Sequence, residues 1–208
     1  MTSKEVFEKF VPASAVSYCN KLYEKLGFEF KVKKARQTKL GDYRYDHYSH
    51  KHTITINNDL NPYSFLVTYL HEVAHYIAFT KYGNRIAPHG KEWKNSFKEL
   101  AQPMLTEEVF DESVLKALVN YFSNPKASSC SDQTLYNILK RFDEKQSLQL
   151  KDVAINQLFT FNGRLFKKVE KKRTRSICVE MKSGRKYAIA EIADIELEED
   201  LSSETPHN

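Results

Sequence analysis

LHEVAHYIAFTKYGNRIAPHGKEWKNSFKE, residues 70–99, decides how the rest of the chain is read, because it holds His71, Glu72, His75 and His89. Successive helical residues turn by about 100°, so His71 and His75 fall within about 40° of each other, one turn apart along the axis. Both imidazoles can meet one ion. Leu66, Leu70, Val73, Ala74 and Ile77 trace the apolar stripe of a helix packed on a sheet, with the histidines at its margin. Asn61-Pro62 supplies its cap and first turn, and Gly83 its stop. Glu72 points to another part of the helix surface, as a carboxylate must if it is to bind an attacking water rather than the metal. The third ligand has to come from elsewhere. His89, at the start of a second helix one turn before Trp93, is the natural candidate, and Glu92 and Glu99 on the same helix are alternatives. Three neutral imidazoles leave zinc one open position, the arrangement of a catalytic rather than a structural site. The expectation is one Zn2+ per chain on His71, His75 and His89, with Glu72 as the proton acceptor.

The composition sets the surroundings of this site. With 208 residues, 41% apolar and 28% charged, the chain can bury a real core and has the make-up of an ordinary soluble protein. Its first residues, MTSKEVFEKF, carry lysines and glutamates where a secretory signal needs an apolar run. No stretch approaches the roughly 18 apolar residues of a membrane span. A cytoplasmic location without membrane contact is expected. Cys19, Cys130 and Cys178 are too scattered for a disulfide framework or a four-cysteine zinc site and read as inert thiols. The net charge of +5 hides an asymmetry, since Arg164 to Arg175 is crowded with cations and Glu191 to Glu204 is acidic.

Upstream of the site, Val6, Phe7 and Phe10 mark a short amphipathic segment, and Ala13 to Leu26 reads as a helix closed by Gly27. Phe28, Phe30 and Val32 alternate as in a strand. Gly41-Asp42 reads as a turn, followed by strands over Tyr43 to Tyr48 and His52 to Ile56, so a small antiparallel sheet of three strands is expected. Downstream, helices are expected to Ala101 and over Asp111 to Tyr121, the latter with Val114, Leu115, Leu118 and Val119 inward. The polar stretch SNPKASSCSD, 123–132, is the best boundary, with Ser131 placed to cap a further helix carrying Leu135, Ile138, Leu139 and Phe142. From Leu158 the pattern turns β: Asn162-Gly163 signals a hairpin, and a strand over Thr174 to Met181, with Ile177, Val179 and Met181 inward, leads into a meander of about five strands that can close as a barrel. The fold class is α+β, divided into a helical and sheet domain over 1–122, a linker and helix over 123–156, a small β domain over 157–200 and a tail over 201–208 expected to be disordered.

His71-Glu72-Val73-Ala74-His75, followed by Tyr82-Gly83 and then Pro88-His89-Gly90-Lys91-Glu92-Trp93, resembles the SprT-like metallopeptidases, a family that includes the bacterial SprT proteins and the eukaryotic DNA-repair protease Spartan. The resemblance spans roughly Ala13 to Met104. It implies zinc ligands at His71, His75 and His89, a catalytic Glu72, and a compact zincin-like core in which a small sheet precedes the active-site helix. Many members continue into a cysteine-rich zinc ribbon; here Cys130 and Cys178 stand without any C-x-x-C pair.

Two further clusters bear on function. His47, His50 and His52 lie just before the active-site helix, and Tyr43, Tyr45 and Tyr48 among them either pack the sheet or line a substrate cleft in which an edge strand pairs with an extended peptide. Arg164, Lys167, Lys168, Lys171, Lys172, Arg173 and Arg175, with Phe159, Phe161 and Phe166 interleaved, suit a nucleic-acid backbone with base stacking, or a charged face over a phenylalanine core. Two function classes follow. One is a zinc endopeptidase acting on protein substrates, including proteins bound or crosslinked to single-stranded or junction DNA. The other is a nucleic-acid-associated regulatory module in which zinc staples a non-catalytic core, an arrangement that would gain nothing from Glu72.

Overall fold

The computed structural model describes residues 2–36, 38–123, 125, 132–143 and 148–197. The chain divides into two compact units, Met1–Glu144 and Lys145–Asn208. The tail over 201–208, Cys130, Ser131 and most of the 123–132 boundary lie outside the described residues.

In the first unit α1 (Ser3–Phe10) is started by a reciprocal cap between Thr2 and Glu5. After α2 (Val16–Leu26), Gly27 turns the chain with φ 68°, a left-handed conformation that costs a glycine nothing. Three strands follow, β1 (Glu29–Lys33), β2 (Gly41–Asp46) and β3 (Lys51–Asn57). Their order is β1-β3-β2, with β2 antiparallel and β1 parallel to β3. The three strands are those expected, but the sheet is mixed. β3 takes the centre because it supplies the sheet's fully buried side chains, Ile54 and Ile56, and the segment returning from β1 crosses to the far side of it. Arg36 fastens that crossing, its Nε 2.7 Å from Asn57 Oδ1 and its Nη1 3.0 Å from Thr55 Oγ1.

The long helix α3 (Pro62–Tyr82) packs on β2, β3 and α4 (Lys91–Ala101). Asn61 caps it by accepting the Ser64 N–H at 2.9 Å, and the same side chain donates to the Leu139 carbonyl at 2.9 Å. That second bond ties α6 (Gln133–Lys140) to the start of α3, and Leu135 and Leu139 are part of the first unit's core. Asp132 caps α6 by accepting from the Leu135 N–H. α5 (Glu112–Ser123) buries Val114, Ala117, Leu118, Tyr121 and Phe122 and leaves Val119 exposed, one position round from the expected stripe. Where α1, β1 and α3 meet, Phe7, Phe30, Phe65 and Tyr69 stack in one aromatic cluster.

The second unit is a six-stranded antiparallel sheet. Its strands are β4 (Leu148–Gln149), β5 (Leu158–Phe161), β6 (Arg164–Lys171), β7 (Arg175–Glu180), β8 (Lys186–Ala190) and β9 (Asp194–Leu197), in the order β4-β9-β5-β6-β7-β8. The hairpin at Asn162-Gly163 joins β5 to β6 with φ 51° and 70°, the double positive φ of a two-residue hairpin turn. In β7 the inward residues are Ser176, Cys178 and Glu180, not Ile177, Val179 and Met181. Glu180 pairs with the buried Phe166 and Cys178 with Lys168, so the parity of β7 is set by the face that Phe166 occupies. Cys19 and Cys178 are buried, and burial pushes their thiols up to about 12 and about 11, as expected of inert thiols. Among the described residues no helix is long and apolar enough to cross a membrane.

Candidate metal centre

His71 and His75 project from one face of α3, as the four-residue spacing requires. His89 comes from the turn before α4 rather than from the helix itself, with φ 58°. The turn is closed by the Gly90 N–H donating to the Ala87 carbonyl at 2.9 Å, and a side chain at Gly90 would meet that same carbonyl. A histidine in the left-handed region costs about 1–2 kcal/mol, so the turn holds His89 in place against a local preference.

The three Nε2 atoms converge. They lie 3.2 Å (His71 to His75), 2.9 Å (His75 to His89) and 3.3 Å (His71 to His89) apart. Ligand nitrogens at about 2.0–2.1 Å from a tetrahedral zinc stand ~3.3 Å from one another, so the donor set matches in number, type and spacing. Without a cation the arrangement is unfavourable, since neutral imidazoles have one N–H each and cannot satisfy three Nε2 atoms aimed at one point. These three residues form the group among the described residues that can hold a metal ion, and neither Glu92 nor Glu99 belongs to it.

Electrostatics hold the imidazoles in the ligating form. Burial, then the neighbouring His75 and His89, push His71 down to about 2. Burial and His89 push His75 down to about 4, and burial also lowers His89. All three are neutral at neutral pH, as metal binding requires. Trp93 forms the floor: it is 1% exposed, its ring centroid lies 4.7, 5.3 and 4.6 Å from those of His71, His75 and His89, and its Nε1 reaches the His71 carbonyl at 3.4 Å.

Glu72 is buried at 7% exposure in the wall of a cavity of about 370 Å³ that also contains the three histidines. The opposite wall is β2 and the residues before it, Thr38 to Tyr43, with Val67, Thr68 and Tyr121 completing the lining. The Asn57 N–H donates to the Leu40 carbonyl at 2.9 Å, which fixes the ladder: Asp42 and Arg44 direct their backbone groups at β3, and Gly41, Tyr43 and Tyr45 direct theirs to the free edge. On that edge the Tyr43 N–H faces the Glu72 carboxylate and favours its ionised form. Burial, and then the Asp42 charge, push the Glu72 carboxyl up to about 8 against that N–H and the charges of Arg36 and Lys39. A divalent cation on the adjacent histidines would favour the carboxylate, the form that accepts a proton.

Gly41, expected in a turn, is instead the first residue of β2 and is pressed against Glu72. A Cβ there would stand 2.7 Å from Glu72 Oε1 and 2.7 Å from Thr68 Cγ2. Its φ is ordinary, so the demand for glycine is one of space. Two of the three histidines before α3 are hydrogen-bonded to tyrosines, His52 Nδ1 to the Tyr43 hydroxyl and His50 Nδ1 to the Tyr45 hydroxyl, both 2.8 Å, and the His47 ring lies 4.8 Å from that of Tyr45.

The basic run does not form one face. Lys168 is 1% exposed, with its Nζ 2.6 Å from the Leu150 carbonyl, 3.0 Å from that of Val153 and 3.3 Å from Glu191. It points with Phe166 into the core, which removes it from any phosphate-binding surface. Lys167 is half-buried, and Lys171, Lys172, Arg173 and Arg175 are exposed. Arg164 bonds Glu180 at 3.2 Å and lies over the rings of Phe166 and Tyr187, while Lys171 and Lys172 pair with Glu191 and Glu170.

A family model described as the SprT-like family matches residues 3–114, more than half of the chain. No curated protein and no solved structure matches.

Proposed function

The chain belongs to the SprT-like family, and from that premise we propose that it is a zinc-dependent endopeptidase. The observation that carries the reading is the convergence of His71, His75 and His89 Nε2 atoms beside a buried Glu72 at the edge of an open cavity. A bound zinc would supply Lewis acidity there, polarising a peptide carbonyl and lowering the pKa of water toward about 7. Glu72 takes the proton of the attacking water on its carboxylate and returns it to the departing amine. The Tyr43 backbone N–H faces that carboxylate and favours its ionised form. The free edge of β2 beside the cavity suits an extended polypeptide, whose backbone can pair with the Gly41 and Tyr45 edge groups. A purely structural zinc site has no use for a carboxylate in the position of Glu72, which disfavours the stapled regulatory module.

The substrate class we propose is protein held on nucleic acid. The support is the cation excess of the second unit, in which Lys171, Lys172, Arg173 and Arg175 are exposed on and beside β6 and β7. The test of the peptidase reading is reversible metal dependence. Zinc-loaded protein cleaves an unfolded protein, a chelator stops cleavage, and added zinc restores it. A chain that binds zinc one to one and cuts neither an unfolded protein nor a DNA-bound one overturns the reading.

A further inference from the structure

Tyr43 touches both halves of the site. Its backbone N–H faces Glu72 from the free edge of β2, and its ring lies parallel to that of His75, at 6° between planes with centroids 6.4 Å apart. Both contacts depend on where β2 sits. β2 is an edge strand with β3 on one side only, so its other side has no ladder to hold it. The Tyr43 hydroxyl supplies a second tether, bonding His52 Nδ1 on β3 at 2.8 Å. His52 in turn stands in a box of rings, with Tyr45 at 4.7 Å, Tyr76 at 4.8 Å and Phe79 at 5.8 Å between centroids. Tyr76 and Phe79 belong to α3, one and four residues beyond His75, so the box spans the sheet and the helix that carries the metal ligands. Burial keeps the Tyr43 hydroxyl protonated and His52 neutral, so the phenol donates and the imidazole accepts.

We propose that Tyr43, anchored through its hydroxyl to His52, is the positioning residue of this centre, bracing the His75 imidazole with its ring and fixing the Glu72 carboxylate with its backbone. The role assigned to Glu72 rests on the peptidase reading; the bracing of His75 does not. The two contacts have separate consequences. Loss of the ring frees His75 to tilt away from the common point of the three nitrogens. Loss of the hydroxyl anchor alone leaves the ring and the N–H present but lets the edge strand drift, which moves Glu72 relative to the cavity.

The test uses the full chain carrying Tyr43→Ala, Tyr43→Phe, His52→Phe and His52→Asn. Zinc affinity is measured by competition with a chelator, metal geometry by the visible spectrum of the cobalt-substituted protein, and turnover on an unfolded protein, with thermal unfolding monitored alongside. Tyr43→Ala is expected to weaken zinc by about 10–100-fold, the range of losses at groups supporting metal ligands, and to alter the cobalt spectrum. Tyr43→Phe and His52→Phe are expected to keep zinc and fold while lowering kcat by roughly 10-fold at unchanged KM, since sub-ångström misplacement of a reacting group slows chemistry more than binding. His52→Asn, which restores a hydrogen-bonding atom near the Nδ1 position, is expected to recover most of that loss. Unchanged zinc affinity and cobalt spectrum in Tyr43→Ala overturn the bracing, whatever the protein cleaves. Wild-type kcat in both Tyr43→Phe and His52→Phe overturns the anchor. If the wild type cleaves nothing but Tyr43→Ala still weakens zinc, the bracing stands and the peptidase reading falls.

Discussion

Gly41→Ala puts one methyl group where the structure has no room for it. The new Cβ would lie 2.7 Å from Thr68 Cγ2, 2.7 Å from Glu72 Oε1 and 2.9 Å from Glu72 Cγ. Carbon atoms pack best at about 3.5–4.0 Å, so β2 and α3 must part, or Glu72 must swing, by roughly 0.8 Å. Overpacking of this size costs about 1–3 kcal/mol. At about 2–4 °C per kcal/mol for a chain of this length, the midpoint of thermal unfolding should fall by roughly 4–8 °C for a 2 kcal/mol cost. A displacement near 1 Å at a reacting group slows turnover by about 100-fold. None of the three closest atoms belongs to a histidine, so zinc content should stay at one per chain. The assay pairs calorimetry with metal analysis and cleavage of an unfolded protein. A variant with wild-type stability and turnover would refute the reasoning, and turnover lost only in proportion to zinc would move the effect from Glu72 to the ligands.

Three further outcomes are expected. Lys168→Met leaves Glu191, 7% exposed, without its buried cation and should destabilise the second unit by about 3–5 kcal/mol, with part of the loss recovered by adding Glu191→Gln, as read by chemical denaturation. In the chelated protein, unfolded His75 protonates near 6.5 while the folded form resists until about 4. The unfolded state therefore binds more protons in that window. Stability should fall as the pH drops from 6.5 toward 4, by on the order of 3 kcal/mol from His75 alone, and should also fall as the pH rises from 6.5 toward 8, where the folded protein gives up the proton that burial holds on Glu72; a thermal melt series that is flat between pH 4 and 6.5 contradicts the assignment of His75. Replacing Lys171, Lys172 and Arg173 together by alanine should weaken binding to DNA of any sequence and reduce its salt dependence, measured by fluorescence anisotropy at two ionic strengths. Binding that is absent or insensitive to salt removes the nucleic-acid proposal.

The central helix and its two histidines were legible because their information is local: a cap at Asn61, a stop at Gly83 and a four-residue spacing. His89 was legible as a residue but not as a conformation, since its φ of 58° belongs to a turn whose geometry depends on Gly90 and Ala87. Gly41 and His52 carried no readable sign of their roles, and Tyr43 was legible as a candidate for the cleft lining but not as the neighbour of Glu72 and His75. Their partners are Glu72 and each other, across strand pairings that a single sequence does not state. The parallel pairing of β1 with β3 was hidden for the same reason. In the second unit, alternation fixed the strands but not which parity faces in. Ile177 and Val179 are more apolar than Ser176 and Glu180, yet register with Phe166 buries the polar pair. Lys168 follows from that: a cation on the core face, held by Leu150, Val153 and Glu191, reads in sequence like any other member of a basic run.

The most direct measurement of the central claim is the cleavage rate of zinc-loaded wild-type protein beside that of Glu72→Gln at equal zinc content. The glutamine keeps the size of the side chain and the Tyr43 N–H contact but cannot accept the proton. A general base contributes about 100- to 10,000-fold, so turnover should fall by at least that lower figure with zinc still at one per chain. Equal rates in the two proteins would contradict the assignment of Glu72, and with it the account of this site as a catalytic centre.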